Sequence, residues 1–323
     1  MIARRAFVVT MATGLATIRG RALAQGPGKT PRVGYVGGTV GSSEIFLKTL
    51  QELGHVQGRN VYLDVVILPP EGRRYSEAIA KFVAQGMDVI VASNPYALEA
   101  AVKAIRNIPI VGLDLESDPV AKGWVASLAH PGGNVTGIFL DIPELSGKQL
   151  QFLREAVPMI DRIAILGDPR VNDLQFKATE TAAHSLRLTT QRLLVTSPDG
   201  IPAAFAEADR RHAGGVIALT SPLVFANLRL VADASMKHRL ATICPFVPAF
   251  AEAGGLLAYG PMFPELFRRL AGYVDQVLKG TRPADLPIQR PQKFELVVSL
   301  KAARALKLDL PQTLVLRADR VIE

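Results

Sequence analysis

Two clusters of small polar residues have the chemistry to hold an anion. Gly37, Gly38 and Thr39 follow one short apolar run, and Ser93, Asn94 and Pro95 follow another. An amphipathic helical pattern comes after each. At such a junction the first amides of a helix point outward, and a hydroxyl beside them completes a cradle for a carboxylate or phosphate. Pro95 suits the first helical position, where no N–H is lost. Ser93 or Asn94 also reads as a plain N-cap, and the two roles are compatible. Asp114, Glu116 and Ser117 follow a third apolar run; Asp118-Pro119 has the form of a turn, which leaves Ser117 as the preferred contact there.

Covalent chemistry finds little support. The loop from Gly37 to Ser43 is rich in glycine but lacks the lysine of a phosphate-binding loop. There is no GxSxG, and no nucleophile stands paired with a base. His55, His130, His184, His212 and His238 are scattered and read as surface or capping residues. The lone Cys244 sits in an apolar run, which suits a buried, inert thiol. No enzyme activity, metal or cofactor is expected.

The elements that must position these residues repeat one theme of strand, small-residue loop and helix. Strands are expected at 32–36, 61–67, 88–92 and 109–113, with helices at 44–53, 75–85 and 95–106 between them. A second series begins after Gly137, with strands near 162–166, 191–195, 215–219 and 241–244 and helices at 145–157, 173–186, 201–211 and 225–238. Further strands at 255–259 and 294–298 flank a helix at 265–278. Strands alternating with helices mean parallel sheets covered on both faces. The fold class is therefore α/β with two similar lobes. Lobe 1 is expected at 31–136 plus 255–288, and lobe 2 at 137–254 plus 289–323. Asn134-Val135-Thr136 has the form of a glycosylation sequon but reads better as a turn at the lobe junction. Open α/β sheets bind ligands beyond the carboxyl ends of their strands, so the cleft should lie between those ends.

The chain has 323 residues, 49% hydrophobic and 20% charged, as two globular lobes require. Residues 1–24 form an export signal: Arg4 and Arg5, an uncharged apolar run from Ala6 to Ile18, then Ala22-Leu23-Ala24. That run is too short to span a bilayer. Arg4-Arg5 followed by Phe7 also fits twin-arginine export, and the route stays open. Cleavage would remove four arginines and halve the net charge of +8. What remains is dispersed and offers no nucleic-acid footprint. No cysteine stands at the cleavage site for a lipid anchor. The mature protein is expected free in the periplasm, without a disulfide.

Several stretches carry a family resemblance. Leu53-Gly54 is followed by Gly58-Arg59-Asn60-Val61. Asp118-Pro119-Val120 leads through Val125 and Leu128 to Pro131-Gly132-Gly133-Asn134-Val135-Thr136-Gly137. Further on come Gly254-Gly255, Tyr259-Gly260-Pro261, Gly280-Thr281-Arg282-Pro283 and Phe294-Glu295-Leu296-Val297-Val298. Together they resemble the ABC-transporter substrate-binding proteins of the tryptophan/tyrosine-type group, across essentially the whole mature chain.

The resemblance implies a type I periplasmic-binding fold with three crossovers and a hinge near Thr136-Gly137. It implies a small organic solute gripped between the lobes by a monomer and handed to an inner-membrane ABC permease with its ATPase. The ligand-binding residues expected are Gly38, Thr39, Ser93, Asn94, Pro95 and Ser117 from lobe 1. From lobe 2 they are Asp168, Thr220, Ser221 and Phe246, with Tyr259 either stacking on the solute or packed in the core. Several family members that bind amino acids carry an acidic residue near position 220, where this chain has Thr220-Ser221. Asp168 is the candidate replacement as ammonium partner, though Asp168-Pro169 also reads as a turn. The solute is thus an amino acid or a small carboxylate or aromatic acid. A periplasmic sensor presenting its ligand to a membrane receptor would look the same in sequence. A transcription regulator would need a helix-turn-helix where the export signal stands.

Overall fold

The computed structural model describes residues 29–69 and 72–323; the expected export signal lies outside the described residues. The first run of elements is β1 (Arg32–Val36), α1 (Val40–Glu52), β2 (Tyr62–Val66), α2 (Gly72–Ala84), β3 (Val89–Ala92), α3 (Pro95–Ala104), β4 (Ile110–Asp114) and β5 (Val135–Phe139). Next come α4 (Ile142–Ala156), β6 (Arg162–Gly167), α5 (Asp173–Ser185), β7 (Thr189–Leu194), α6 (Gly200–Arg210), β8 (Gly215–Ala218), α7 (Pro222–Ala226), α8 (Leu228–Lys237), β9 (Ala241–Cys244), α9 (Ala249–Glu252) and β10 (Leu257–Pro261). The chain ends with α10 (Phe263–Leu278), β11 (Phe294–Ser299), α11 (Leu300–Leu306), α12 (Gln312–Leu316) and β12 (Arg320–Ile322).

Two sheets result. The first is parallel throughout, in the order β2-β1-β3-β4-β5; the second runs β12-β11-β10-β9-β8-β6-β7, with only β10 and β11 antiparallel. The order 2-1-3-4-5 therefore occurs twice, as β2-β1-β3-β4-β5 and β7-β6-β8-β9-β10. In each copy the strand order reverses beside the first strand, which opens a crevice at the carboxyl ends. The central strands β3, β4, β8 and β9 are buried along their whole length, as strands covered on both faces must be. The edge strand β7 instead alternates between buried and exposed.

Helices cover both faces of each sheet. On the first, Phe46 and Leu50 of α1 meet Leu266, Leu270 and Val274 of α10, while α2 and α3 bury Ile79, Phe82 and Leu98 on the other side. On the second, α6 and α8 supply Phe205 and Val231 to one face, and α4, α5 and α11 supply Leu153, Phe176 and Ala303 to the other.

The chain passes between the sheets three times, as expected: after β5, between β10 and α10, and before β11. The positions differ from the sequence reading. Val135–Phe139 is a strand of the first sheet, so Asn134-Val135-Thr136 is not a junction turn and the crossing falls at Leu140–Asp141. Leu257–Pro261 pairs with β9 and β11, so the return to the first sheet comes at Met262 and not at 255. The apolar pattern alone could not reveal either shift, because strands of both sheets are equally buried. Two helices differ as well. α1 begins at Val40 and not at Glu44, and the helix expected at 225–238 is two helices broken at Asn227.

Candidate functional site

The loops after β1 and β3 lie at the crevice of the first sheet, and their small residues are explained by the backbone they adopt. Gly37 and Gly38 both have left-handed φ values, +107° and +67°, a conformation that side chains disfavour. A Cβ on Gly38 would also lie 2.7 Å from Ser42 Oγ and 2.9 Å from the Tyr35 hydroxyl. Thr39 then caps α1. Its Oγ1 accepts from the Ser42 amide, and its own amide donates to Ser42 Oγ at 2.8 Å. Asn94 caps α3: Oδ1 accepts from the Ala97 amide at 2.9 Å, and Nδ2 donates to the Tyr75 hydroxyl at 3.0 Å. Ser221 caps α7 by accepting from the Val224 amide at 3.1 Å. Three helix N-termini, two from the first sheet and one from the second, thus face the same space.

That space is a cavity of about 490 Å³ between the carboxyl ends of the two sheets. Of the residues expected from sequence, Gly38, Thr39, Ser93, Asn94, Pro95, Ser221 and Phe246 line it. Its body is apolar. Phe246 meets Phe225 at 4.9 Å and Phe263 at 5.3 Å between ring centroids, and the Phe225 and Phe263 rings lie stacked within 8° of parallel. Phe267, Leu113, Leu115 and Tyr75 extend this surface.

Four expected residues, Ser117, Asp168, Thr220 and Tyr259, do not reach the cavity. Ser117 lines a smaller neighbouring hollow, and its amide donates to Asp114 Oδ1 at 3.0 Å. Asp118 makes the expected turn, accepting from the Val120 amide. Thr220 is fully buried, its hydroxyl donating to the Leu115 carbonyl at 3.3 Å. Tyr259 packs between Phe152 and Phe294, with centroids 4.8 and 5.9 Å away, which is the core alternative.

Asp168 is fully engaged elsewhere. Its carboxylate accepts from the Arg170 guanidinium at 2.5 to 3.1 Å, from the Arg170 amide at 2.9 Å and from the Tyr96 hydroxyl at 2.7 Å. Burial alone would raise this carboxyl, but the Arg170 and Tyr96 hydrogen bonds outweigh it and hold the group below the ordinary aspartate range. Its charge is already balanced, so it has little left to offer an ammonium.

The acid in the cavity comes from the other sheet. Glu116 lines it, two residues beyond Asp114 at the end of β4. Asp114 is fully buried; Oδ1 accepts from the Glu116 and Ser117 amides at 2.8 and 3.0 Å. Glu116 Oε2 accepts from the Leu115 amide at 3.0 Å. Burial raises both carboxyls, and the neighbouring Asp114 charge lifts Glu116 further, well above its ordinary value. An acid at each end of the triplet Asp114-Leu115-Glu116, following a buried strand, was the signal for this pair. The aromatic wall gave no such signal, because Phe225, Phe246 and Phe263 come from three separate segments.

Contacts bridge the cleft beside the cavity. Gln175 Nε2 from α5 donates to the Leu115 carbonyl at 3.4 Å, alongside the Thr220 hydroxyl. Arg170 lies over the Tyr96 ring at 5.6 Å. Among the described residues, no helix is long and apolar enough to cross a membrane.

Comparison with known proteins gives this geometry a context. Residues 43–322 match the family model described as ABC transporter substrate binding protein. A tyrosine-binding protein of Clostridioides difficile (strain R20291) is 23% identical over 266 residues, covering 81% of this chain and 75% of that protein. A conserved domain protein from Vibrio cholerae superposes with a TM-score of 0.84 at 21% identity, over 91% of this chain and 100% of that one. An ABC domain from Streptococcus pneumonia, solved in complex with L-Trp, superposes with a TM-score of 0.82 at 20% identity and the same coverage.

Proposed function

Because the chain belongs to the ABC transporter substrate-binding protein family, we propose that it captures a small organic solute in the cavity between its sheets and delivers it to a membrane permease. The solute is an amino acid or a small carboxylate or aromatic acid. The permease works with its ATPase at the inner membrane, and capture takes place in the periplasm after the export signal is removed.

One observation carries this reading. The cavity of about 490 Å³ draws its lining from the carboxyl ends of both sheets, and the chain crosses between those sheets three times. A site shared in this way changes shape when the two halves rotate about their connections, so solute binding and closure become one event. The volume suits a single small molecule. The phenylalanine wall favours a solute with an apolar or aromatic body. The helix N-termini behind Thr39 and Asn94 favour a carboxylate at one end. The tyrosine-binding relative and the neighbour solved with L-Trp point in the same direction.

The test is a thermal-shift screen of the mature protein against amino acids and aromatic acids, followed by small-angle scattering with and without the best hit. A bound solute should raise the melting temperature by mass action and shrink the radius of gyration. A hit that bound with no change in dimensions would overturn the closure mechanism, and the absence of any hit would count against solute capture.

A further inference from the structure

Helices that end in a left-handed residue do so with glycine around the first sheet and with a basic residue around the second. Gly54, Gly86 and Gly280 follow α1, α2 and α10 with φ of +94°, +67° and +98°. Arg187, His212, Arg239 and Lys307 follow α5, α6, α8 and α11 with φ between +52° and +59°. Among the described residues, no other non-glycine position has a positive φ. Around the second sheet only Gly254, after the short α9, is the usual residue. Glycine is the ordinary choice because a side chain disfavours this conformation. A helix dipole favours a cation at its C-terminus, but α1, α2 and α10 have the same dipole and keep glycine there.

The fold gathers these residues, dispersed in sequence, at one edge. α5, α6 and α8 lead into the amino ends of β7, β8 and β9. Those ends lie side by side. The Thr189 amide donates to the Asp161 carbonyl at 2.8 Å, the Gly214 amide to the Arg162 carbonyl at 2.9 Å, and Gly215 pairs with Ala241. α11 starts at the same edge, where the Ser299 amide donates to the Leu256 carbonyl at 2.9 Å, and its Leu306 shares a core with Ile160 and Ala241. Arg154, Lys237 and Arg304, in the last turns of α4, α8 and α11, add exposed cations. Among the described residues, none of the arginines and lysines at these left-handed or last-turn positions forms an ion pair. The acids nearby are mostly engaged. Glu207 is held by Arg210 and Arg211, Asp209 by His238 and Glu155 by Arg317, which leaves Asp161 and Asp309. Met159, in the turn between α4 and β6, is 92% exposed at the same edge.

We propose that this amino-end edge of the second sheet is a docking surface for an anionic lipid membrane. Each exposed arginine or lysine adds attraction to negatively charged headgroups within a Debye length of the surface. Met159 supplies what an acidic protein or a free anion would not need. Its unbranched apolar chain stands clear of the surface and suits the boundary between headgroups and acyl chains. The cavity lies at the opposite, carboxyl ends of the strands, so docking here leaves it open to solute.

The experiment is co-sedimentation of the mature protein with vesicles of phosphatidylcholine, alone or mixed with phosphatidylglycerol, at low and at physiological salt. Binding is expected to the anionic vesicles only, and it should weaken as salt rises. A variant combining Arg187→Gly, His212→Gly, Arg239→Gly and Lys307→Gly removes charge while giving each turn the residue its backbone prefers. Its denaturation midpoint should match or exceed that of wild type, while its vesicle affinity falls about tenfold or more. A second variant, Arg154→Gln with Lys237→Gln and Arg304→Gln, leaves the left-handed turns alone and should lose affinity to a similar degree. Met159→Ser should weaken binding about fivefold with no change of charge. Equal binding to both kinds of vesicle, no binding to either, or variants that bind as tightly as wild type would each overturn the proposal. Capture by polyglutamate without vesicle binding would overturn it too, and would mark the edge as a site for an acidic protein.

Discussion

Tyr96 and Asp168 meet across the cleft. The Tyr96 hydroxyl, on α3 against the first sheet, donates to Asp168 Oδ2 at the end of β6 in the second, at 2.7 Å. Arg170 fixes the same carboxylate from the other side. A neutral donor from one half thus docks onto a charge assembled within the other. Hydrogen bonds to charged groups contribute about 1.5–3 kcal/mol, so this one helps decide whether the halves stay together. Tyr96→Phe should weaken solute binding roughly tenfold or more while leaving each sheet folded. Calorimetry with the best solute measures it; an unchanged affinity would show that the contact has no part in closure.

Asp168 also ties stability to acid. Its carboxyl is held below the ordinary aspartate value of 3.8, so the folded state binds a proton there less readily than the unfolded chain. The resulting stability is present above 3.8 and disappears as pH falls through the depressed value. Because Arg170 is partly exposed, solvent screening reduces the contribution, and Asp168→Asn should cost about 1–3 kcal/mol at neutral pH. Denaturant unfolding at pH 7 and at pH 3 measures it. The gap between variant and wild type should narrow at the lower pH; an equal gap at both would mean the carboxylate charge is irrelevant.

Glu116 gives the opposite slope. Its carboxyl is raised well above 4.5 by burial and by Asp114, so the folded state without solute retains a proton that the unfolded state has lost. Its contribution is complete below 4.5 and fades as pH climbs toward the raised value. Glu116→Gln keeps a neutral side chain of similar shape. The variant should therefore gain on wild type as pH rises from 4.5 toward neutrality. Melting curves of the solute-free proteins across that range would reveal the crossover, and parallel curves would contradict it.

Much of this architecture was legible from local pattern. The strand expected at 88–92 is β3 (Val89–Ala92), and Asn94-Pro95 marks the start of α3 because a side-chain acceptor followed by proline has few other uses. Where reading failed, the cause was non-local or unusual chemistry. The start of α1 was hidden because Ser42 takes the place that glutamate more often fills in a capping box, so Gly41-Ser42-Ser43 resembled a loop. Tyr259 looks the same in sequence whether it faces a ligand or Phe152; only strand pairing decides. Phe263 enters the cavity because the chain crosses between sheets at Met262, and no periodicity announces a crossing. Glu116 was visible as a residue but not as a member of the site, since its role depends on which loops the second sheet brings opposite.

The position of the first crossing leads to a prediction about Gly137. In sequence this glycine marks a hinge, and a side chain there would be expected to alter closure alone. In the structure it lies inside β5, paired with Gly112 of β4, with φ at +140°. Its carbonyl also accepts from the Gln289 amide, where the third crossing returns past the first sheet. A Cβ at this position would sit 1.9 Å from the Gly112 carbonyl oxygen, and backbone held in a strand ladder cannot retreat as a flexible side chain can. Gly137→Ala should therefore destabilise the whole fold, by about 2–4 kcal/mol from backbone strain and steric overlap together. A shift of that size would appear in the denaturation midpoint without solute, and amide exchange should accelerate along β4 and β5. Normal stability with altered solute affinity would instead restore Gly137 as a hinge and place the flexing point within, not after, the last strand of the first sheet.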